Sequence, residues 1–215
     1  LKTKQPSVLD FGGVNNVQDV ALKDQKTYVL GAKDGSDFSI FAGGKSVGPT
    51  ISSSDNPIMF RIFGNSGYVY LKDKGELLKL PWQGSSFGDG KNWLRIVAGL
   101  DKSSVTSFAI DGKVWLGTSN GSIFSLAQGS KQAFSVTGMM QPFTSSIMVY
   151  TTPDLENLYV LEPVTQRIVV LNKSGVYQSQ VFAPEFGAAT DMFVDATGKM
   201  AYVAAGSVVY AVQLE

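Results

Sequence analysis

Five short runs of β-branched and aromatic residues recur along this 215-residue chain at nearly constant spacing. They are Thr27-Tyr28-Val29-Leu30, Val69-Tyr70-Leu71, Val114-Trp115-Leu116, Leu158-Tyr159-Val160-Leu161 and Ala201-Tyr202-Val203-Ala204. By subtraction of residue numbers, the aromatic anchors Tyr28, Tyr70, Trp115, Tyr159 and Tyr202 stand 42, 45, 44 and 43 residues apart. A period in the low forties made of strands predicts one four-stranded blade per repeat, and so an all-β chain forming a single five-bladed β-propeller over residues 1–215.

The fourth repeat reads most clearly, with strands at 146–151, 157–161, 167–171 and 177–182 separated by turn formers such as Pro153-Asp154 and Asn172-Lys173-Ser174-Gly175. The third gives 105–110, 113–117, 122–126 and 132–136, with Asp111-Gly112 and Asn120-Gly121 suited to two-residue hairpins that need positive φ. The second gives 58–63, 68–71, 76–80 and 94–97, its last two strands parted by the longest irregular stretch, 81–92. The first gives 17–22, 27–30 and 38–41 with an ill-defined fourth, and the fifth 191–194, 200–204 and 208–214. The fifth thus lacks an outer strand while residues 7–11 offer a spare one, so closure by the N-terminal strand completing the last blade is expected.

Eighteen basic and eighteen acidic residues cancel, which leaves no global field to attract nucleic acid or anionic lipid. The chain has no Cys and no His, removing thiolate nucleophiles, imidazole bases and typical zinc sites. No apolar stretch approaches the roughly 18–20 residues that cross a bilayer. The chain opens on Leu1, so a domain of a longer protein is expected.

Residues 158–182, LYVLEPVTQRIVVLNKSGVYQSQVF, resemble an NHL-type (TolB-like) propeller repeat: a Tyr-Val strand, an acidic turn, an Arg-Ile strand and a Gly turn in succession. DMFVDATGKMAYVA at 191–204 is similar to the segment that opens such repeats. The acidic position is Glu162 in the fourth repeat but Gly117 in the third and Lys72 in the second, so no repeat-wide functional residue carries over. The resemblance implies a fold and a bias toward binding rather than a reaction. The chain also resembles, more faintly, the C-terminal propeller of bacterial membrane proteins with a PPM-type phosphatase domain, which implies an extracytoplasmic sensor or interaction domain of a membrane-anchored protein.

Aligned on their anchors, the repeats place Asp19, Met59, Ser107, Ser146 and Asp191 near the starts of the inner strands, at the channel mouth where propellers hold ligands. In a ring of five, the first and last blades would be neighbours and bring Asp19 toward Asp191. Such carboxylates and hydroxyls either meet a ligand or accept backbone N–H groups of adjacent blades. Arg61 either pairs with a carboxylate such as Asp19 or points to a solvated edge. Met139, Met140 and Phe143 on one connection, with Phe186 on the next, either form an apolar rim or pack down. Trp82, Phe87 and Trp93 frame the long loop, to stack on a sugar or to anchor it. The opposite face, with turns such as Asp24-Gln25 and Asp111-Gly112, is expected to carry less apolar material.

The sequence therefore points to a non-catalytic, monomeric ligand- or protein-binding scaffold without cofactor or metal, taking a protein, peptide or small ligand at the channel mouth. The alternatives are a lectin-like propeller, which would need repeated polar and aromatic sets, and a metal-dependent lactonase-like hydrolase, for which Asn16, Asp19 and Asp191 could be drafted.

Overall fold

The computed structural model describes residues 11–214, almost all of which lie in short antiparallel strands and their turns. The chain divides into two compact units, one reaching Trp93 and the other starting at Leu94. In the first unit, β1 (Asn16–Lys23), β2 (Lys26–Ala32), β3 (Ser39–Ala42) and β4 (Lys45–Ser46) form one meandering sheet. A second sheet there consists of β5 (Pro57–Phe63), β6 (Ser66–Leu71), β7 (Glu76–Pro81) and β8 (Lys91–Asn92). The second unit holds β9 (Val105–Ile110), β10 (Val114–Thr118), β11 (Ile123–Ala127) and β12 (Ser130–Lys131) as one sheet. Its next sheet is β13 (Met148–Tyr150), β14 (Asn157–Glu162), β15 (Arg167–Asn172) and β16 (Tyr177–Phe182), and its last is β17 (Ala189–Val194), β18 (Met200–Ala205) and β19 (Val208–Gln213). These are the five blades of a β-propeller, and among the described residues the last has three strands. The outer strand expected at 7–11 lies, except for Phe11, outside the described residues. No described helix is long and apolar enough to cross a membrane.

The second strand of the fourth blade is apolar over Leu158–Leu161 because the blades before and after it cover both its faces. In β14, Leu158 and Val160 join Val169, Leu171, Ile147 and Val149 in a core with Ala109 and Trp115 of the preceding blade. The alternate residues Tyr159 and Leu161, with Ile168 and Val170, pack instead against Met192, Val194, Ala201 and Val203 of the following one. The period-2 alternation of a strand thus assigns residues to two apolar interfaces rather than to core and solvent. In the first unit, Leu30 and Ile40 meet Phe60, Val69 and Leu80 in the same manner.

Inner strands carry a bulge at one recurrent point, between Val17 and Asp19, Pro57 and Met59, Val105 and Ser107, and Ala189 and Asp191. The residue after each bulge is structurally equivalent, which supports the expected alignment of Asp19, Met59, Ser107 and Asp191. Two details change. Met59 pairs with Tyr70 as Asp19 pairs with Leu30, so the equivalent of Tyr28 is Tyr68 rather than Tyr70. In the fourth blade Met148, paired with Leu161, takes the position expected for Ser146, because β13 starts two residues later than its β-branched neighbours suggested.

The outer strands also differ from expectation. Residues 94–97 are not the fourth strand of the second blade. The two-residue β8 takes that place, Trp93 N–H donates to Leu77 O at 2.7 Å, and Arg95 N–H then donates to Gly129 O at 2.9 Å in the next sheet's turn. In the third blade the outer strand is β12 rather than 132–136: Ser130 and Lys131 pair with β11, and Gln132 N–H adds a bond to Ser125 O at 2.8 Å.

Candidate functional site

The connection from the third to the fourth blade, carrying Met139, Met140 and Phe143, is held by a buried ion pair. Glu162 ends β14, a turn of 3-10 helix over Pro163–Thr165 follows, Gln166 takes φ 55°, and Arg167 opens β15. The hairpin makes Glu162 and Arg167 direct cross-strand partners, and both are essentially inaccessible to solvent, at 0% and 1% exposure. Arg167 donates to Glu162 Oε2 from Nε at 2.9 Å and from Nη2 at 2.7 Å, and Thr165 Oγ1 donates to the same oxygen at 2.6 Å. The other oxygen, Oε1, accepts from Thr144 N–H at 3.0 Å, Ser145 N–H at 3.2 Å and Ser145 Oγ at 2.8 Å. Arg167 Nη2 also reaches Gln141 O at 3.1 Å and Pro142 O at 3.2 Å, and its guanidinium lies 5.4 Å from the Phe143 ring centre. The pair thus clasps residues 141–145 from both sides. Charge-assisted bonds of this density satisfy two groups that would otherwise be costly to bury.

Burial pushes the Glu162 carboxyl upward, but the hydrogen bonds from Thr165, Thr144, Arg167 and Ser145 outweigh it and hold the group below its ordinary value of 4.5. A carboxyl depressed in the folded state contributes stability above its unfolded value and loses it as pH falls through the lower folded one. Asp101 and Asp195, lowered by hydrogen bonds from Ser103 and Thr197, act in the same direction. Melting temperature is therefore expected to be flat near neutrality and to fall as pH drops below about 4.5. Glu162→Gln should lower the neutral melting temperature and flatten the acid limb, which thermal melts across pH 7 to 3 would check.

On this frame the three rim residues behave differently. Met140 is 96% exposed, whereas Met139 and Phe143 are partly buried against the core shared by the third and fourth blades. Met139, Met140, Gln141, Tyr177 and Gln180 border a cleft of about 390 Å³ that also touches Arg167. A neighbouring cleft of about 330 Å³ shares Met139 and is lined by Phe134, Val136, Pro142 and Phe143. Val164, at 74% exposure, and Phe182, at 57%, add apolar surface at the ends of the same blade's strands. Phe186 corrects the expected rim: its exposure is 0%, and it lies in the core with Leu161, Ile168 and Met192. The short 3-10 turn Pro184–Ala188 directs it inward.

Two of the polar candidates, Asp19 and Ser107, serve backbone groups of the neighbouring inner strand. Asp19 Oδ2 accepts from Phe60 N–H at 2.7 Å and from the Arg61 guanidinium, and Oδ1 accepts from Val20 N–H at 2.8 Å. Arg61 is therefore paired with Asp19, one of its two expected arrangements. Ser107 Oγ accepts from Val149 N–H at 2.9 Å and donates to Ile147 O at 3.1 Å, doing between β9 and β13 what Asp19 does between β1 and β5. Asp191 Oδ1 accepts from Met192 N–H at 2.8 Å. Bulges re-aim side chains, and at Asp19 and Ser107 the re-aimed group ties one inner strand to the next. Asp19 and Arg61 belong to the first unit, while Ser107, Ser146, Asp191 and the connection belong to the second. Among the described residues no three acidic side chains gather as a metal-binding group.

The long loop 81–92 overturns the expectation that the turns opposite the inner-strand starts carry less apolar material, at least in the first unit. Trp82 and Phe87 stand edge to face 4.9 Å apart, and Tyr28 meets both, at 6.3 and 5.9 Å. They share a cleft with Asp24 of the β1–β2 turn.

Sequence reasoning noted Glu162 and Arg167 only as elements of a repeat pattern. Their signal was an acid and a base five residues apart across a Pro-Val-Thr turn, each adjoining a strand.

No protein-family model matches the chain, and no curated protein sequence is similar to it. Solved structures are. The Swd1 β-propeller domain of Myceliophteria thermophila matches with a TM-score of 0.66 at 9% identity, over 93% of this chain and 69% of that one. A streptogramin B lyase matches with a TM-score of 0.58 at 12% identity, over 97% of this chain and 71% of that one. YCF48, solved bound to D1 peptide, matches with a TM-score of 0.56 at 13% identity, over 92% of this chain and 63% of its own. Likeness at such identities shows the propeller fold, which binding proteins and enzymes share.

Proposed function

We propose that this chain is a non-catalytic protein- or peptide-binding propeller module whose contact surface is the connection 138–143 with the cleft beneath it. The observation that carries this reading is an almost fully exposed Met140 on a connection fixed by a buried ion pair. An exposed methionine on a mobile loop would be unremarkable. Here five hydrogen bonds fix the segment, three from Thr144 and Ser145 to Glu162 and two from Arg167 to the Gln141 and Pro142 carbonyls, where a merely connecting stretch needs none. A rigid support under an adaptable apolar side chain reduces the ordering cost of binding. The cleft of about 390 Å³ suits one or two side chains of an extended peptide better than a large cofactor. One structural neighbour, YCF48, is itself bound to a peptide, which agrees with this use of the fold. The order of strands and turns in the fourth blade fits an NHL-type repeat, a binding scaffold. The lyase neighbour makes an enzyme the competing reading, but of the inner-strand groups suited to chemistry Asp19 and Ser107 are engaged by neighbouring strands.

Selection of displayed random peptides against the purified chain tests the proposal. Apolar peptides are expected to be enriched, and Met140→Asp should weaken them at least about tenfold, since one buried anchor side chain is worth about 1.5–3 kcal/mol. Because Met140 is exposed, the melting temperature should stay within about 2 °C of the parent. Absence of enrichment, or peptides indifferent to Met140, would overturn it.

A further inference from the structure

The long loop of the second blade builds a feature that the peptide surface does not use. Residues 81–92 leave β7, turn over the sheet and return as β8, and Trp82, with Tyr28, lines two clefts there. One, of about 270 Å³, is lined by Lys23, Asp24, Lys26, Asn65 and Ser66 along with the aromatic residues. The other, of about 530 Å³, opens between Trp82, Tyr28, Ala42, Val47 and the small residues Gly43 and Ser85. Trp82 is half-buried and held edge to face by Phe87 at 4.9 Å and by Tyr28 at 6.3 Å, so its plane is fixed. Its backbone N–H donates to Asn65 O at 2.9 Å, tying the platform to the β5–β6 turn.

The turn at the first, polar cleft adds an independent observation. Asp24 and Gln25 take φ 49° and 62°, two consecutive non-glycine residues in the left-handed region. The corresponding turns of the second and third blades place Gly64 and Gly112 at positive φ. Adjacent left-handed positions in a two-residue hairpin favour Asn-Gly or Asp-Gly, so Asp24 suits the first position whereas the Gln25 side chain costs stability at the second. Strain kept beside a cleft, where it carries a carboxylate into the lining, is typical of a functional position.

We propose that the Trp82 clefts form a carbohydrate-binding site taking a pyranose oligosaccharide, with one sugar ring on the indole and its hydroxyls in the polar cleft. The C–H face of a pyranose matches a fixed indole. Asp24 supplies an acceptor, Lys26 donors, and Asn65 and Ser66 both, the mixture that neutral hydroxyls need. Two lysines against one aspartate at the lining give no strong field, and Asp24 would repel a phosphate or sulfate. Two clefts sharing Trp82 suit a chain of two or three rings better than a monosaccharide. This site is confined to the first unit and stands or falls independently of the peptide surface.

The test titrates the 215-residue chain with maltotriose, cellotriose, chitotriose, mannotriose and galactotriose by calorimetry and tryptophan fluorescence. At least one is expected to bind and to perturb emission. Trp82→Ala should weaken binding at least about tenfold, as loss of one aromatic stack does. Because that variant also removes packing against Tyr28, two milder ones accompany it. Lys26→Ala should weaken binding with the melting temperature unchanged. Asp24→Asn with Gln25→Gly should raise the melting temperature by about 2–4 °C while weakening binding. The proposal is overturned if none of the five trisaccharides binds at 10 mM, or if binding survives both Trp82→Ala and the turn variant unchanged.

Discussion

Arg167→Ala is expected to be among the most damaging single substitutions in the second unit, costing about 3–5 kcal/mol. The change removes two donors from Glu162 Oε2 and leaves that carboxylate at 0% exposure without its counter-charge. It also strips the Gln141 and Pro142 carbonyls of their shared donor. For a domain of this size the loss should appear as a fall of about 6–20 °C in melting temperature. The double replacement Glu162→Leu with Arg167→Met separates stability from positioning. Removing both charges together is often nearly neutral for folding, so much of the lost stability should return. The clasp on residues 141–145 would still be gone, and selected peptides should bind weakly to a stable protein. If Arg167→Ala melts within about 2 °C of the parent, the pair does not hold the connection.

Trp115→Ala should cost about 3–5 kcal/mol for a different reason. Trp115 has 0% exposure, packs edge to face on Phe134 at 5.1 Å, and lies in the core that joins the third blade to the fourth. Its indole N–H donates to Asp111 Oδ1 at 3.0 Å, and Asp111 Oδ2 meets Lys173 Nζ of the next blade at 2.9 Å. Truncation therefore opens a cavity and removes a donor from a carboxylate that ties two blades. Trp115→Phe keeps most of the volume and should cost less, with the hydrogen bond contributing about 1 kcal/mol. Urea unfolding of the three proteins checks the order; an alanine variant within 1 kcal/mol of the parent would mean that the interface repacks freely.

Blade number and the second and third strands of each repeat were legible in the sequence because their β-branched and aromatic runs recur at a fixed period, most clearly at β14 and β15, which are apolar on both faces. The outer strands were not, since a two-residue strand such as Lys91–Asn92 has no period to read. The apolar run Leu94-Arg95-Ile96-Val97 drew the assignment instead; its Leu94 and Val97 are buried but its Ile96 is 97% exposed. At the site, composition identified the connection with Met139, Met140 and Phe143 but could not say which residues turn inward, so Phe186 was misplaced. Glu162 and Arg167 stayed hidden because charged residues are seldom fully buried. Nothing in their spacing declares that a loop 17 to 26 residues upstream supplies the remaining partners. Asp19 and Ser107 were found at equivalent positions, yet their work as ties between inner strands depends on a bulge that only the pairing register reveals.

The most direct test of the binding surface uses the protein's six methionines as probes. With methyl-labelled methionine, addition of a selected apolar peptide is expected to shift the Met139 and Met140 resonances, and Met140 most. Met59, Met148, Met192 and Met200, which lie on strands β5, β13, β17 and β18, should stay within the noise. Shifts centred on those strand methionines, or no shift at Met140 while peptide binds, would contradict the account.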